Sequence, residues 1–214
     1  MMLSYERTQW ALTPGVILVG VDEAGRGCLA GPVVAGAVHM SAERAEELYA
    51  GELAGVNDSK QLSPAQREHF FEILTQAPDL VWATGQASAL EIDAVNILVA
   101  THIAMRRAVE ALRVRAEHVL VDGLPVKGLP CASTAIIKGD ANSFLIAAAS
   151  VVAKVSRDHL MCALHEQYPH YGFAVHKGYG VSEHVAALHK YGSCPEHRHT
   201  FRPVQDVDCR LPGF

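Results

Sequence analysis

Four carboxylates carry the chemical argument: adjacent Asp22 and Glu23, then Asp122, then Asp140. The first two close the apolar run Val16-Ile17-Leu18-Val19-Gly20-Val21. Asp122 closes His118-Val119-Leu120-Val121, and Asp140 follows Ala132 to Lys138. A wholly apolar strand reads as buried in the middle of a sheet. Acids at its end need a cation, a shared proton or water, because like charges repel and desolvation is costly. Taken singly, Asp122 before Gly123, or Asp140 before a helix, could simply serve a turn. Delivered together by strand ends, such oxygen ligands suit hard divalent cations such as magnesium or manganese. Sites of that kind usually serve phosphoryl chemistry.

Asp158 competes with Asp140 but lies eighteen residues further on, about 27 Å along a straight helix at ~1.5 Å per residue. One site cannot take both. Asp140 is the expected ligand, and Asp158 is expected to pair with a surface cation. The turn after Glu23 holds Gly25, Arg26, Gly27 and Gly31. That spacing is not the dinucleotide fingerprint, and two carboxylates before it would repel a pyrophosphate. Close backbone approach to a sugar or phosphate is the better use, since glycine has no Cβ. Cys194, His197 and His199 lack the second ligand pair a zinc site needs, so the histidines are read as solvated or phosphate-facing. Tyr168, Tyr171, Phe173 and Tyr179 lie among Arg157, His176 and Lys177, a mixture that can stack on sugars or bases. Tyr179, between Gly178 and Gly180 and two residues past Lys177, is the strongest candidate of the group.

The elements that must position these groups follow from periodicity. A lead-in over 1–15 precedes a strand running to about Val21. Val33 to His39 reads as its antiparallel neighbour across the glycine turn. Ser41-Ala-Glu-Arg has the spacing of a capping box, and Ser63-Pro64 opens a helix to about Gln76. Strands are expected at Leu80 to Ser88, His118 to Asp122 and Ala132 to Lys138. Helices are expected at Ala94 to Leu112, Ser143 to about His165 and Ser182 to Tyr191. The result is an α/β fold with a mixed sheet, whose ligands bind outside the C-terminal strand ends. Eight of the twelve histidines lie from His159 onward, and the chain after about 160 reads as a small helical and loop appendage.

Composition narrows the class. The chain has 214 residues, enough for one large domain with or without an appendage. No apolar run approaches the ~18 residues of a membrane span. Cysteines 28, 131, 162, 194 and 209 are odd in number and form no CxxC pair, which fits a reducing, cytoplasmic compartment. A formal net charge of -5 argues against a protein that coats nucleic acid. It leaves room for an enzyme with a local basic patch.

In order along the chain, DEAGRG at 22–27, GPVV at 31–34, NDSK at 57–60, VDG at 121–123, KGDANSFLIAAASVVAKVSRD at 138–158, HKGYG at 176–180 and HRHTF at 197–201 resemble type 2 ribonuclease H, ribonuclease HII. The resemblance covers roughly 16–204, leaving 205–214 as a tail without a motif. It implies a ribonuclease H-like fold, a mixed five-stranded sheet flanked by helices with a C-terminal helical extension. It also implies an endonuclease that cuts the RNA strand of RNA–DNA hybrids and nicks DNA 5′ to an embedded ribonucleotide, leaving 3′-hydroxyl and 5′-phosphate ends. Carried over by motif, Asp22, Glu23, Asp122 and Asp140 hold magnesium or manganese, two ions when substrate is bound. Gly25, Arg26 and Gly27 contact the ribose 2′-hydroxyl, and Tyr179 stacks on the deoxyribose after the ribonucleotide. Lys60, Ser150, Lys154 and Lys177 are phosphate contacts. Cys28 stands where the family usually has proline, and Val181 where threonine is usual. A monomer acting on hybrid and ribonucleotide-containing duplex is expected, with the tail open to a protein partner.

Two other classes compete. Receiver domains also gather acids and a lysine at strand ends, but they are shorter and alternate strand and helix regularly. A junction resolvase shares the nuclease fold, and only a substrate panel separates it. A type 3 ribonuclease H is set aside because about fifteen residues precede the first strand.

Overall fold

The computed structural model describes residues 2–209. The chain opens with helix α1 (Ser4–Leu12), strands β1 (Leu18–Ala24) and β2 (Val33–His39), and helices α2 (Ala42–Ala50) and α3 (Pro64–Gln76). Strand β3 (Val81–Ala87), helices α4 (Ala89–Val95) and α5 (Ile97–Glu110), and strands β4 (His118–Asp122) and β5 (Ala132–Ile136) follow. A short α6 (Gly139–Asn142) leads into the long α7 (Phe144–Gln167). Beyond it lie α8 (Phe173–His176), α9 (Ser182–Tyr191) and α10 (Val204–Asp208). Among the described residues no helix is long and apolar enough to cross a membrane.

The sheet order is β3-β2-β1-β4-β5. β1 pairs antiparallel with β2 and parallel with β4, so the sheet is mixed, as its sequence pattern implied. β1 is buried from Leu18 through Asp22 because helices cover both faces. Alternation along the strands sorts Leu18 and Leu120 to the α7 side and Val19, Val21, Val119 and Val121 to the α5 side. α7 lies close because Gly20 and Gly36 leave its backbone room: a Cβ on Gly20 would strike the Leu145 carbonyl, and one on Gly36 would sit 2.5 Å from the Ala149 oxygen. The buried alanines 147, 148, 149 and 153 make the matching low ridge.

Several boundaries depart from the sequence reading. The lead-in is a helix, and its Glu6 is buried: Glu6 Oε1 accepts from Ser143 Oγ at 2.6 Å and from Leu145 N at 3.0 Å. A carboxylate beside the first turn of α7 meets its free N–H groups. The helix expected from Ala94 begins earlier and breaks at Asn96, whose φ of 73° ends α4 while its side chain caps α5 through Leu98 N and Val99 N. Ser41 caps α2 through Arg44 N, but the reciprocal half of the box is missing because arginine, a donor only, stands at its third position. Ser63 makes the full box with Gln66. β5 stops at Ile136, two residues before Lys138 turns left-handed at φ 54°.

Candidate active site

The parallel register Val21↔Val121 puts Asp22 and Asp122 level on neighbouring strands. Alternation points both to the α7 face and turns Glu23 to the other. Asp22 is 7 % exposed. Burial first, then the charges of Glu23 and Asp122, push its carboxyl well above the ordinary carboxylate range. Burial also raises Glu23, against the pull of Arg26, whose Nη1 lies 3.2 Å from Glu23 Oε1. Asp140, in the first turn of α6, is raised by burial and then by Asp122 and Asp58. α6 is drawn up to β4 by Gly139 N donating to Asp122 Oδ1 at 2.6 Å.

The donor set is all carboxylate oxygen, the chemistry that hard divalent cations take. A cation among these groups would offset the desolvation and repulsion that raise Asp22, Glu23 and Asp140. The residues fit such an ion chemically. Among the described residues, no three His, Cys, Asp or Glu side chains are already gathered as a metal cage. Asp122 is turned to Gly139, Glu23 to Arg26, and Asp22 Oδ1 accepts from Glu23 N at 2.7 Å. Each of these contacts occupies one carboxylate oxygen and leaves the other without a side-chain or backbone donor among the described residues. The internal donors thus orient the groups without using up their capacity to accept.

Lys60 stands beside the acids. Burial works against its charge, but Asp58, Asp22 and Asp140 outweigh it and raise its pKa. Its loop is held by Arg67 Nη1, which donates to the carbonyls of Ser59 and Leu62 at 2.9 and 2.6 Å. Lys154 Nζ sits 2.7 Å from Asp158 and 5.9 Å from the centre of the Tyr179 ring. Asp158 therefore takes a cation as expected, in a half-buried place rather than at the open surface. Lys154, Lys177, Arg67, His159, His176 and Tyr179 line a groove of about 600 Å³. Tyr179 is 40 % exposed.

Ser150 is not in this groove. It is 2 % exposed, and its hydroxyl donates back to the Ala147 carbonyl at 2.9 Å, so helix α7 has turned it into the core. The reading of the late histidines also needs correction. His197 is fully buried, and Cys194 is buried beside it in the wall of a cleft shared with His199 and Asp208. Of His197 and His199, only His199 is exposed, with Nδ1 2.6 Å from Asp208.

Two arginines hold the glycine turn: Arg198, and Arg157, which the sequence placed among the aromatic residues as a cation and which is instead buried. Arg198, fully buried, donates to the carbonyls of Gly25 at 2.7 Å, Arg26 at 2.8 Å and Gly31 at 2.9 Å. Burial lowers its pKa to about 10. Arg157, 1 % exposed, donates to Pro32 O at 2.9 Å, Ala30 O at 3.1 Å and Lys177 O at 2.8 Å. Gly25, at φ 96°, is required here because a Cβ would run into the Arg157 guanidinium. Arg198 thus fixes the glycine turn, and Arg157 ties the segment after it to the 176–180 loop, each guanidinium satisfied by backbone oxygens. The signal for Arg157 was available: it is a lone cation on the buried face between Val155 and Met161.

The ribonuclease HII family model matches residues 19–204. The chain is 50 % identical over 189 residues to ribonuclease HII 1 of Methylibium petroleiphilum, covering 88 % of this chain and 91 % of that one. It is 52 % identical over 191 residues to ribonuclease HII of Paracidovorax citrulli, covering 89 % and 76 %. The chain belongs to the ribonuclease HII family. Its fold is similar to the crystal structure of ribonuclease H2 from Pyrococcus horikoshii, with a TM-score of 0.74, 28 % identity, and coverage of 90 % and 97 %. Membership makes the protein a ribonuclease H, a hydrolase, and gives the mixed sheet and its flanking helices their family. The ribonuclease HII match starts at residue 19 and leaves α1 outside it.

Proposed function

We propose that this ribonuclease H is metal-dependent, cuts the RNA strand of RNA–DNA hybrids, and nicks DNA 5′ to an embedded ribonucleotide, leaving 3′-hydroxyl and 5′-phosphate ends. The observation that carries the reading is the pairing of buried Asp22 with half-buried Asp122 at the ends of two neighbouring parallel strands, beside a glycine turn whose carbonyls are clamped from behind. Asp22, Glu23, Asp122 and Asp140 hold magnesium or manganese. Such ions supply a more acidic water and neutralise charge on the leaving oxygen.

The chain's own residues select the bond. Arg198 and Arg157 fix the turn so that Gly25, Arg26 and Gly27 present backbone groups to a 2′-hydroxyl without an intruding side chain. Tyr179, on the loop Arg157 grips, stacks on the following deoxyribose and reads an RNA-to-DNA junction. Lys60, Lys154 and Lys177 meet phosphates from the groove side, with Lys60 charged through its acid neighbours. The deciding experiment is cleavage mapping on a DNA duplex with one ribonucleotide, with and without a chelator. A single nick 5′ to the ribonucleotide, lost on chelation and lost in Asp22→Asn, is expected. Chelator-resistant cleavage, or a 2′,3′-cyclic end, would overturn the reading.

A further inference from the structure

A chain of hydrogen bonds runs through the C-terminal extension and ends on the main chain of Tyr179. Cys194 N donates to His197 Nδ1 at 3.0 Å, with the Cys194 sulfur 3.1 Å from the same nitrogen. His197 Nε2 lies 3.0 Å from His184 Nε2. His184 Nδ1 lies 2.9 Å from the Tyr179 carbonyl. These contacts fix both tautomers. A backbone N–H can only donate, so His197 Nδ1 accepts and its proton is on Nε2. That proton points at His184 Nε2, which must accept, leaving the His184 proton on Nδ1, aimed at the Tyr179 oxygen. Every step has one donor and one acceptor.

The surroundings favour this neutral arrangement. Both rings are fully buried. His184 packs at right angles to Phe173, with centroids 5.4 Å apart, and His197 meets the edge of Tyr171 at 4.8 Å. Burial lowers His197 to about 4, helped by His184, and burial lowers His184 as well. The other titratable groups facing the pair are His176, stacked on His184 at 4.5 Å, Tyr171, Cys194, and farther out His199 and Asp208. An added proton would put two donors face to face in a dry site.

Tyr179 is otherwise held at its main chain: its N–H donates to His176 O and its carbonyl accepts from Val181 N, both at 2.9 Å. His176 Nδ1 in turn receives Gly178 N at 3.2 Å. On its N-terminal side the loop is fixed by Leu29 N donating to the Gly178 carbonyl at 2.8 Å and by Gly178 packing against Ala30, which leaves His184 to hold the Tyr179 carbonyl from the α9 side.

We propose that His184 and His197 are positioning residues, a neutral histidine relay that fixes the Tyr179 carbonyl and so the angle at which the Tyr179 ring meets the sugar at the RNA–DNA junction. The inference rests on the junction-reading role given to Tyr179 above, and its test separates the two. Asparagine at 184 can keep a donor near the position of Nδ1, whereas leucine cannot.

Cleavage of a one-ribonucleotide duplex is measured for His184→Leu and His184→Asn, each with and without Tyr179→Ala. His184→Leu is expected to lose about 10-fold or more in kcat/KM, the scale of a small misplacement. His184→Asn should recover most of the loss, and His184→Leu should cost little further in the Tyr179→Ala background. Equal losses in the two His184 variants, or an undiminished loss beside Tyr179→Ala, overturn the relay. Tyr179→Ala cutting as the parent does overturns the junction reading, and the relay proposal with it. Should His184→Leu fail to fold, histidine 15N NMR of the parent protein decides. Protons on His184 Nδ1 and His197 Nε2 support the relay, and any other tautomer pair overturns it.

Discussion

The acid edge and the loop pair beside it solve opposite problems. At the edge, Asp22, Glu23 and Asp140 are held beside Asp122 where burial and neighbouring carboxylates raise them. Their few hydrogen bonds come from backbone groups next door or from Arg26. In the loop pair, the buried polar groups Arg157, Arg198, His184 and His197 are matched by backbone oxygens or by each other. The first region stores unfavourable electrostatics that a cation can discharge. The second spends its polar groups on rigidity. Function at the edge should therefore separate from stability, whereas in the loops the two should move together.

The largest effect tests the edge. Asp22→Asn should cut activity by more than the ~10–100-fold typical of an outer-shell change around a metal. It should leave the thermal midpoint equal or higher, because a buried, repelled charge is gone. Ribonuclease assays beside thermal unfolding check both. A folded variant with full activity would remove Asp22 from the chemistry.

The second effect tests the clamp. Arg198→Met strands the carbonyls of Gly25, Arg26 and Gly31. At ~1–3 kcal/mol for each buried group left unpaired, it should cost about 3 kcal/mol or more. Denaturant unfolding measures it, and activity should fall in step. A stability loss within experimental error would mean that the turn holds itself.

The third is a pH effect. His197 is held near 4 when folded, below its ordinary 6.5. The unfolded chain then takes up a proton first as pH falls, so stability is present above about 6.5 and is lost on the way to about 4. The full loss is on the order of 3 kcal/mol. Glu6 has the opposite sign: burial raises its folded pKa, so its contribution improves as pH drops toward the ordinary carboxylate range. The raised Asp22, Glu23 and Asp140 act in the same direction as Glu6, so the His197 contribution is read from a difference between proteins: from pH 7 to 4, His197→Gln should lose less stability than the parent and Glu6→Gln more. A His197→Gln profile parallel to that of the parent would contradict the buried neutral state of His197.

How far the sequence disclosed these two regions follows from the same contrast. Acids at the ends of apolar runs are visible because a continuous apolar run and its charged terminus sit within six residues, as at Ile17 to Asp22. The strands at 33–39 and 118–122 and the helices at 64–76 and 182–191 were equally local, bounded by Ser-Pro, glycine or the acids themselves. The clamp was hidden because its partners are far apart in sequence: Arg198 bonds Gly25 across 173 positions, and its acceptors are main-chain oxygens that leave no mark on residue type. The relay is close in sequence but ends on a main-chain oxygen that leaves no mark on residue type, and its His197 reads as solvated because histidine is common both in the core and outside it. Ser150 misled in the other direction, since a hydroxyl in an apolar run can bond its own helix.

The smallest effect tests a departure from the family pattern. Val181 is the residue before the first turn of α9, in an extended conformation at φ -75° and ψ 165°, and it supplies no side-chain cap. That is the geometry in which a threonine oxygen accepts from the second or third N–H of a helix. Val181→Thr should therefore raise stability by about 1 kcal/mol, a gain of a few degrees in the thermal midpoint for a chain of this size. Because α9 carries His184, the gain should appear as slower exchange of amides in its first turn. An unchanged midpoint and unchanged exchange would show that water already satisfies those donors. The loop pair would then owe its order to the buried relay and clamp alone.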